Sequence, residues 1–270
     1  MASTTPEPSA CARRGGLLDA YYRAFFSDPV LRAWYGDSGY ANLGLWNDGV
    51  DDAAAAGDAL VDALIERVPR GLSGAVLDVA CGQGGSTARL SRHTDPARVT
   101  AIGSSAEQLT AARRRTPESV FLQMDASRLA FASGSFDVVL CVEAAFHFDT
   151  RARFLAEAYR VLKPGGSLVL SDLLMNDGTP LVPEGNHVPG LAAYAELLQR
   201  QGFQDVRTED VTRRTWRAYR RRLTAFICAR TERWRSAAGV RDLLTANAGL
   251  AWAIRACVLA SATKPTPGHG

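Results

Sequence analysis

Asp78 is a charged residue inside an apolar run, and glycines follow it almost at once. Val76 to Leu90 reads VLDVACGQGGSTARL: a strand-length apolar stretch, a turn with Gly82, Gly84 and Gly85, then the start of a helix. Glycine at such a turn removes the Cβ atoms that would keep a ligand away from the backbone, so a ligand is expected at the strand's carboxyl end. An ionised carboxylate within a strand needs a compensating partner, and a ligand's ammonium group is one. That favours a zwitterion over a pyrophosphate. The dinucleotide fingerprint GxGxxG requires glycine at position 87, where Thr87 stands, and no GK[ST] ending completes a phosphate loop.

A second group of residues could move a proton. In VVLCVEAAFHF, His147 lies just past the carboxyl end of an apolar strand, where ligands of open α/β sheets gather. Asp172 ends the next strand after Ser171, and from there it could orient His147 or act beside it as an acid-base partner. The flanking Phe146 and Phe148 leave a second possibility, that His147 packs under a substrate or caps the following helix. Glu143, inside the apolar strand end, reads either as a ligand contact or as a buried, paired carboxylate.

A scaffold must bring these strand ends together. From Gly74 onward apolar runs alternate with helical patterns: AVLDVA, a helix from Gly85, RVTAIG, a helix over Ala106 to Arg115, and SVFLQMDA. The series continues with FDVVLCV, a helix over Thr150 to Leu162, a KPGG turn at Lys163 to Gly166, and SLVLSDLL. Parallel βαβ units follow from that alternation. Leu191 to Gln201 is expected as a helix ended by Gly202, and Phe203 to Val211 as a sixth strand in an antiparallel edge pair.

Before this core, Leu17 to Trp34 suits one or two helices broken at Pro29. Tyr35 to Asn47 suits a glycine-rich loop, and Asp51 to Val68 an alanine-rich helix. After it, Thr215 to Arg235 reads as an arginine-rich helix and Val240 to Ala262 as a buried amphipathic helix. The expected organisation is a flexible leader over 1–16, an N-terminal helical lid over 17–70, the core with cap elements over 71–262, and a fraying tail over 263–270.

The chain has 270 residues and a formal charge of +3, enough for one sizeable α/β domain and no basis for a nucleic-acid partner. Solvated arginines account for the Arg213 to Arg235 stretch. Five scattered cysteines without CxxC spacing or a nearby His cluster suggest reduced thiols in the cytosol and no metal site. MASTTPEPSACARRGG lacks the apolar core of a signal peptide, and Asp242, Asn247 and Arg255 interrupt the most apolar late stretch, so no membrane partner is expected.

The run from Gly74 to Leu174 resembles the class I S-adenosylmethionine-dependent methyltransferases, and more narrowly their natural-product branch of sugar O-methyltransferases and ubiquinone-type and tocopherol-type C-methyltransferases. The resemblance implies an α/β, Rossmann-like doubly wound sheet of the seven-stranded methyltransferase type, with inserted and C-terminal cap helices. It assigns Asp78, Ala80, Gly82, Gln83 and Gly84 to the methionine and ribose of S-adenosylmethionine, with Ala80-Cys81 replacing the commoner Gly-x pair. The second strand ends Ile102-Gly103-Ser104 without the family's usual acidic residue. The chain is similar there to members that write SxxQ, which implies Ser104 and Gln108 at the ribose. Met124, Asp125 and Ala126 are implied at the adenine, and Glu143 near the cofactor. NLGLW looks like the family's H-x-GYW element, so Tyr40 and Trp46 are expected over the cofactor, where aromatic faces attract a cationic sulfonium. The family's proposed acid-base pair falls on His147 and Asp172.

The resulting expectation is a cytosolic monomer or homodimer that transfers methyl to a hydroxyl of a small specialised metabolite, with nitrogen and carbon acceptors open. Acceptor choice is expected in Met175 to Gly190 and Thr215 to Ala262. The rival is a protein of the same fold that no longer methylates, either a cyclase shaping a bound polyketide or a binding module.

Overall fold

The computed structural model describes residues 10–180, 182–229 and 252–267. Its centre is a seven-stranded sheet in the order β3-β2-β1-β4-β5-β7-β6. The parallel part is β1 (Val76–Val79), β2 (Val99–Gly103), β3 (Val120–Gln123), β4 (Phe136–Val142) and β5 (Leu162–Met175). All four residues of β1 are buried, as a central strand covered on both faces requires. Successive β1 residues serve opposite cores. Val76 joins the layer built with the N-terminal helices, while Leu77 and Val79 join the layer built with α6 (Arg151–Val161) and α7 (Leu191–Arg200).

The helices begin where their caps dictate. Asp28 accepts from the backbone N–H groups of Val30 and Leu31 to start α2 (Pro29–Tyr35), with Pro29 in the first turn. Asp52 caps α3 (Ala53–Ile65) through Ala55 N. α4 (Gly85–Leu90) opens directly from the glycine turn, and α5 (Ala106–Arg115) lies where the apolar spacing puts it.

Three expectations are corrected. The stretch expected as a buried helix is strand β7 (Ile254–Thr263), antiparallel to both β5 and β6 (Gln204–Asp210), and the remainder, 240–251, lies outside the described residues. A continuous apolar run carries no periodicity that separates a doubly covered strand from a buried helix. The leader is already helical from Ala10, where α1 (Ala10–Ser27) begins. The tail is tied down at its start: Lys264 N donates to Gly166 O, Gly165 N donates to Lys264 O, and Lys264 Nζ reaches Leu162 O at 2.7 Å. α8 (Trp216–Cys228) accounts for the described part of the arginine-rich helix. Among the described residues no helix is long and apolar enough to cross a membrane.

Tyr40 fixes the N-terminal segment to this core. Its ring lies between α3 and α4, and a Cβ added at Gly57 or Gly85 would come within 2.4 or 2.6 Å of it. The Tyr40 hydroxyl donates to Asp58 Oδ1 at 2.7 Å. Gly57→Val is therefore expected to cost about 1–3 kcal/mol by overpacking. A lowered urea midpoint with an unchanged slope would show it, and an unchanged midpoint would refute the wedge.

Candidate active site

At the carboxyl ends of β1, β2 and β4 the strands diverge around a cavity of about 540 Å³, closed on one side by α1. Of the residues assigned to the cofactor, Ala80, Gly82, Ser104 and Gln108 line it at the glycine turn and after β2. Met124, Asp125 and Ala126 line it after β3, and Glu143 after β4. Gly82 has φ +55, and the nearest atom to a Cβ placed there is Gln108 Oε1 at 3.7 Å, so the missing side chain leaves a cradle between turn and glutamine. This open backbone, facing a glutamine amide and leading past Asp125, fits the methionine-ribose-adenine length of S-adenosylmethionine.

Three of the assigned residues lie one layer back. Asp78 is completely buried beneath the turn, where Oδ2 accepts from the Ser86 and Thr87 hydroxyls at 2.7 Å each. Its Oδ1 has no partner among the described residues, and burial pushes the carboxyl up to about 6 against the pull of the two hydroxyls. Gln83 is not among the residues that line the cavity, and its carbonyl accepts from Arg115 Nε. Gly84, at φ +87, lets α4 approach α5, since a Cβ there would meet Ala112 at 2.9 Å.

His147 ends a short 3-10 turn, Ala145–His147, and lines the cavity. Its Nε2 is 3.1 Å from the hydroxyl of Tyr22 on α1. Burial pushes that hydroxyl far above its ordinary value, so it stays protonated. Both oxygens of Asp172 are taken by other donors. Asp172 is fully buried and accepts from Arg151 Nε at 2.6 Å, Tyr194 Oη at 2.9 Å, Phe146 N at 3.1 Å and Leu173 N at 2.8 Å. A carboxylate without solvent takes the nearest strong donor, and Arg151 provides it. Through Phe146 N, Asp172 braces the turn that carries His147 from behind.

Asn186 completes that brace, and the sequence carried no motif to mark it. Its Oδ1 accepts from Arg151 N, its carbonyl from Arg151 Nη1, and its amide donates to the carbonyls of Ala145, Phe146 and Phe148. Tyr22 was also overlooked as a site residue, although Gly15, Asp19, Tyr22 and Phe26 recur at helical spacing and all line the cavity.

Trp46 is corrected as well. It is buried against Trp34, donates to Leu43 O, and the cation over its ring is the chain's own Arg222, 4.8 Å from the centroid. Tyr40 does line the cavity. None of the described residues in 175–190 or 215–262 lines it, whereas Leu18, Asp19, Tyr22 and Phe26 of α1 do.

Glu143 joins the N-terminal segment to the cavity, with Oε2 accepting from Leu43 N at 2.7 Å. Burial pushes this carboxyl up to about 8, opposed by the Leu43 N–H and reinforced by the charge of Asp172. A folded-state value raised from 4.5 means that the native protein holds a proton the unfolded chain releases, so stability falls as pH rises from about 4.5 to about 8. Glu143→Gln keeps an acceptor for Leu43 and removes the titration. Its melting temperature is expected to match the parent's near pH 4 and exceed it near pH 9; parallel curves would refute the assignment. Arg151→Met, which strands Asp172 without its cation, is expected to cost about 3–5 kcal/mol in denaturant titrations.

Comparisons with known proteins agree with this geometry. Residues 77–170 match the family described as a methyltransferase domain. Methyltransferase GfsG of Streptomyces halstedii is 30% identical over 225 residues, covering 74% of this chain and 80% of that protein. Erythromycin 3''-O-methyltransferase of Saccharopolyspora erythraea is 30% identical over 200 residues, 65% of each chain. Among solved structures, the [4+2]-cyclase SpnF superposes with a TM-score of 0.71 at 25% identity, over 99% of this chain and 100% of that one. With a family match over the strand-turn-helix core, a relative aligned over most of both chains, and a cavity that fits the cofactor, the chain belongs to the class I S-adenosylmethionine-dependent methyltransferases, in their small-molecule branch.

Proposed function

We propose that this chain transfers the methyl group of S-adenosylmethionine to a hydroxyl oxygen of a small specialised metabolite, with His147 taking the hydroxyl proton. The observation that carries the reading is the placement of His147 on the cavity wall, held from behind by the Asp172–Arg151–Asn186 brace and met from α1 by Tyr22 at 3.1 Å. When bound, the cofactor supplies a methyl group on cationic sulfur, open to in-line displacement by an oxygen lone pair.

The chain's residues do the rest. Ala80, Gly82, Ser104 and Gln108 hold the methionine and ribose portions, and Met124, Asp125 and Ala126 border the adenine. Asp78, Gln83 and Gly84 shape the turn from beneath. α1 and the loop through Tyr40 act as a lid that keeps water from the reacting oxygen. Tyr22 marks where an acceptor hydroxyl would hydrogen-bond to His147 Nε2, and imidazole is suited to take a proton near neutral pH. Asp172 is a positioning residue in this scheme. The relative named as an erythromycin 3''-O-methyltransferase supports an oxygen acceptor in natural-product chemistry. A cytosolic setting suits Cys81, Cys141 and Cys257, which are buried free thiols.

The likeness to SpnF favours a second reading, a non-methylating cyclase on the same fold. Incubation with S-adenosylmethionine and hydroxylated polyketides or glycosides separates the two by product mass. A gain of one methyl for hydrogen supports transfer, and an unchanged mass with a rearranged product supports cyclisation. His147→Ala is expected to lower methyl transfer about 10²- to 10⁴-fold. Full retention of rate would remove His147 as the proton acceptor and leave alignment alone.

A further inference from the structure

Glu143 occupies an unusual position for a buried carboxyl. It follows β4 directly with φ +46, a conformation a non-glycine residue adopts at a local cost, and it lines the cavity. One oxygen, Oε2, is taken by Leu43 N. The other, Oε1, has no partner among the described residues, yet it is absent from the fully enclosed polar atoms left unpaired, so it opens onto the cavity. Glu143 lines the same cavity as His147 and stands four residues before it on the segment that follows β4. Beside Leu43, Asn42 is more than nine-tenths buried, lines the cavity, and carries an unpartnered Oδ1. Asn42 Oδ1 is enclosed, so the spare hydrogen-bonding capacity facing the cavity that His147 also lines is Glu143 Oε1, which a simple alcohol does not need.

Building on the assignment of an oxygen acceptor and His147, we propose that Glu143 is a specificity-determining residue whose free oxygen binds a second hydroxyl of the acceptor, so that the substrate class is a diol in which one oxygen is methylated at His147 and its neighbour is held by Glu143. A hydroxyl suits this position because it both donates and accepts, and can therefore pair with the carboxyl in either protonation state. The Leu43 contact ties recognition to closure: the carboxyl that binds the second hydroxyl also holds the loop carrying Tyr40 and Asn42. A mono-ol leaves Oε1 unpaired in a closed site, and an unpaired buried polar group opposes closure. This is how a site built to hydrogen-bond a substrate hydroxyl discriminates against the analogue that lacks it.

The test uses the full chain with S-adenosylhomocysteine present and two matched probe pairs, catechol against phenol and trans-1,2-cyclohexanediol against cyclohexanol, with binding measured by calorimetry. The expected result is a preference of about tenfold for each diol, lost in Glu143→Ala and largely kept in Glu143→Gln, whose amide oxygen accepts from Leu43 N while its NH2 donates to the hydroxyl oxygen. In turnover the same alanine change should raise KM for the diol more than it lowers kcat, a split that a merely structural loss would not produce. Equal binding of diol and mono-ol, including no binding of either, overturns the proposal, as does a preference that survives in Glu143→Ala. The binding preference is read without methyl transfer, so a failure of His147 chemistry would show separately, as an intact preference with no methylated product.

Discussion

The His147 side of this cavity depends on one ion pair, Arg151 with Asp172, buried toward the end of β5. Removing two charges from water costs several kcal/mol per ion, and their attraction offsets it only when the remaining hydrogen-bonding positions are filled. Here they are. Asp172 receives Tyr194 and two backbone N–H groups besides Arg151, and the guanidinium divides its donors among Asp172, Asn186 O and Leu173 O. The product of this expense is geometric. Asp172 through Phe146 N, and Asn186 through three carbonyls, hold the turn Ala145–His147 from two directions. A histidine on a strand-end loop would otherwise sample many orientations, and transfer chemistry tolerates little misalignment.

That arrangement explains why the sequence pointed to the right elements and misjudged one relationship. The glycine turn, the five parallel strands and the helices between them were legible because each is a local pattern: apolar runs of strand length, a 3.6-residue period, a break at Pro29. Topology made the carboxyl ends of the parallel strands the place for a ligand and pointed to His147, while the cofactor residues from Ala80 to Glu143 came from the family resemblance. Asp172 also converges there, but which donor takes its charge depends on Arg151, whose position one helix earlier no spacing rule reveals. The same limit applied to Trp46. Its aromatic face suggested a cationic ligand, and the fold supplies Arg222 from α8.

β7 shows the complementary failure. Seven of its ten residues, IRACVLASAT, are buried, six of them in an unbroken run from Cys257 to Ala262, because the strand lies between β5 and β6 with layers on both faces. Burial on all sides erases the alternation by which a strand is recognised. The cost to the functional reading was small, since β7 enters the sheet on the side of β5 away from the cavity. Reassigning it nevertheless removes material from the expected C-terminal cap and leaves α1 as the wall whose residues the site uses.

The N-terminal segment is attached to the site through polar contacts that end on cavity residues or their immediate supports. Tyr22 meets His147, Leu43 N meets Glu143, and Arg115 joins Asp37 to the carbonyl of Gln83 in the glycine turn. Each individual contact is modest, about 0.5–1.5 kcal/mol net for a hydrogen bond. Their placement matters more than their sum. A ligand that orders the glycine turn also orders the partner of Arg115, and one that engages His147 or Glu143 competes with or reinforces the contacts to α1 and the 41–43 loop. Binding and closure therefore draw on the same few groups, and linkage requires that whatever strengthens one must strengthen or weaken the other by the same free energy. The raised value of Glu143 is the local sign of that sharing, because a carboxyl placed to serve both the loop and the cavity gives up the solvent that would ordinarily keep it ionised.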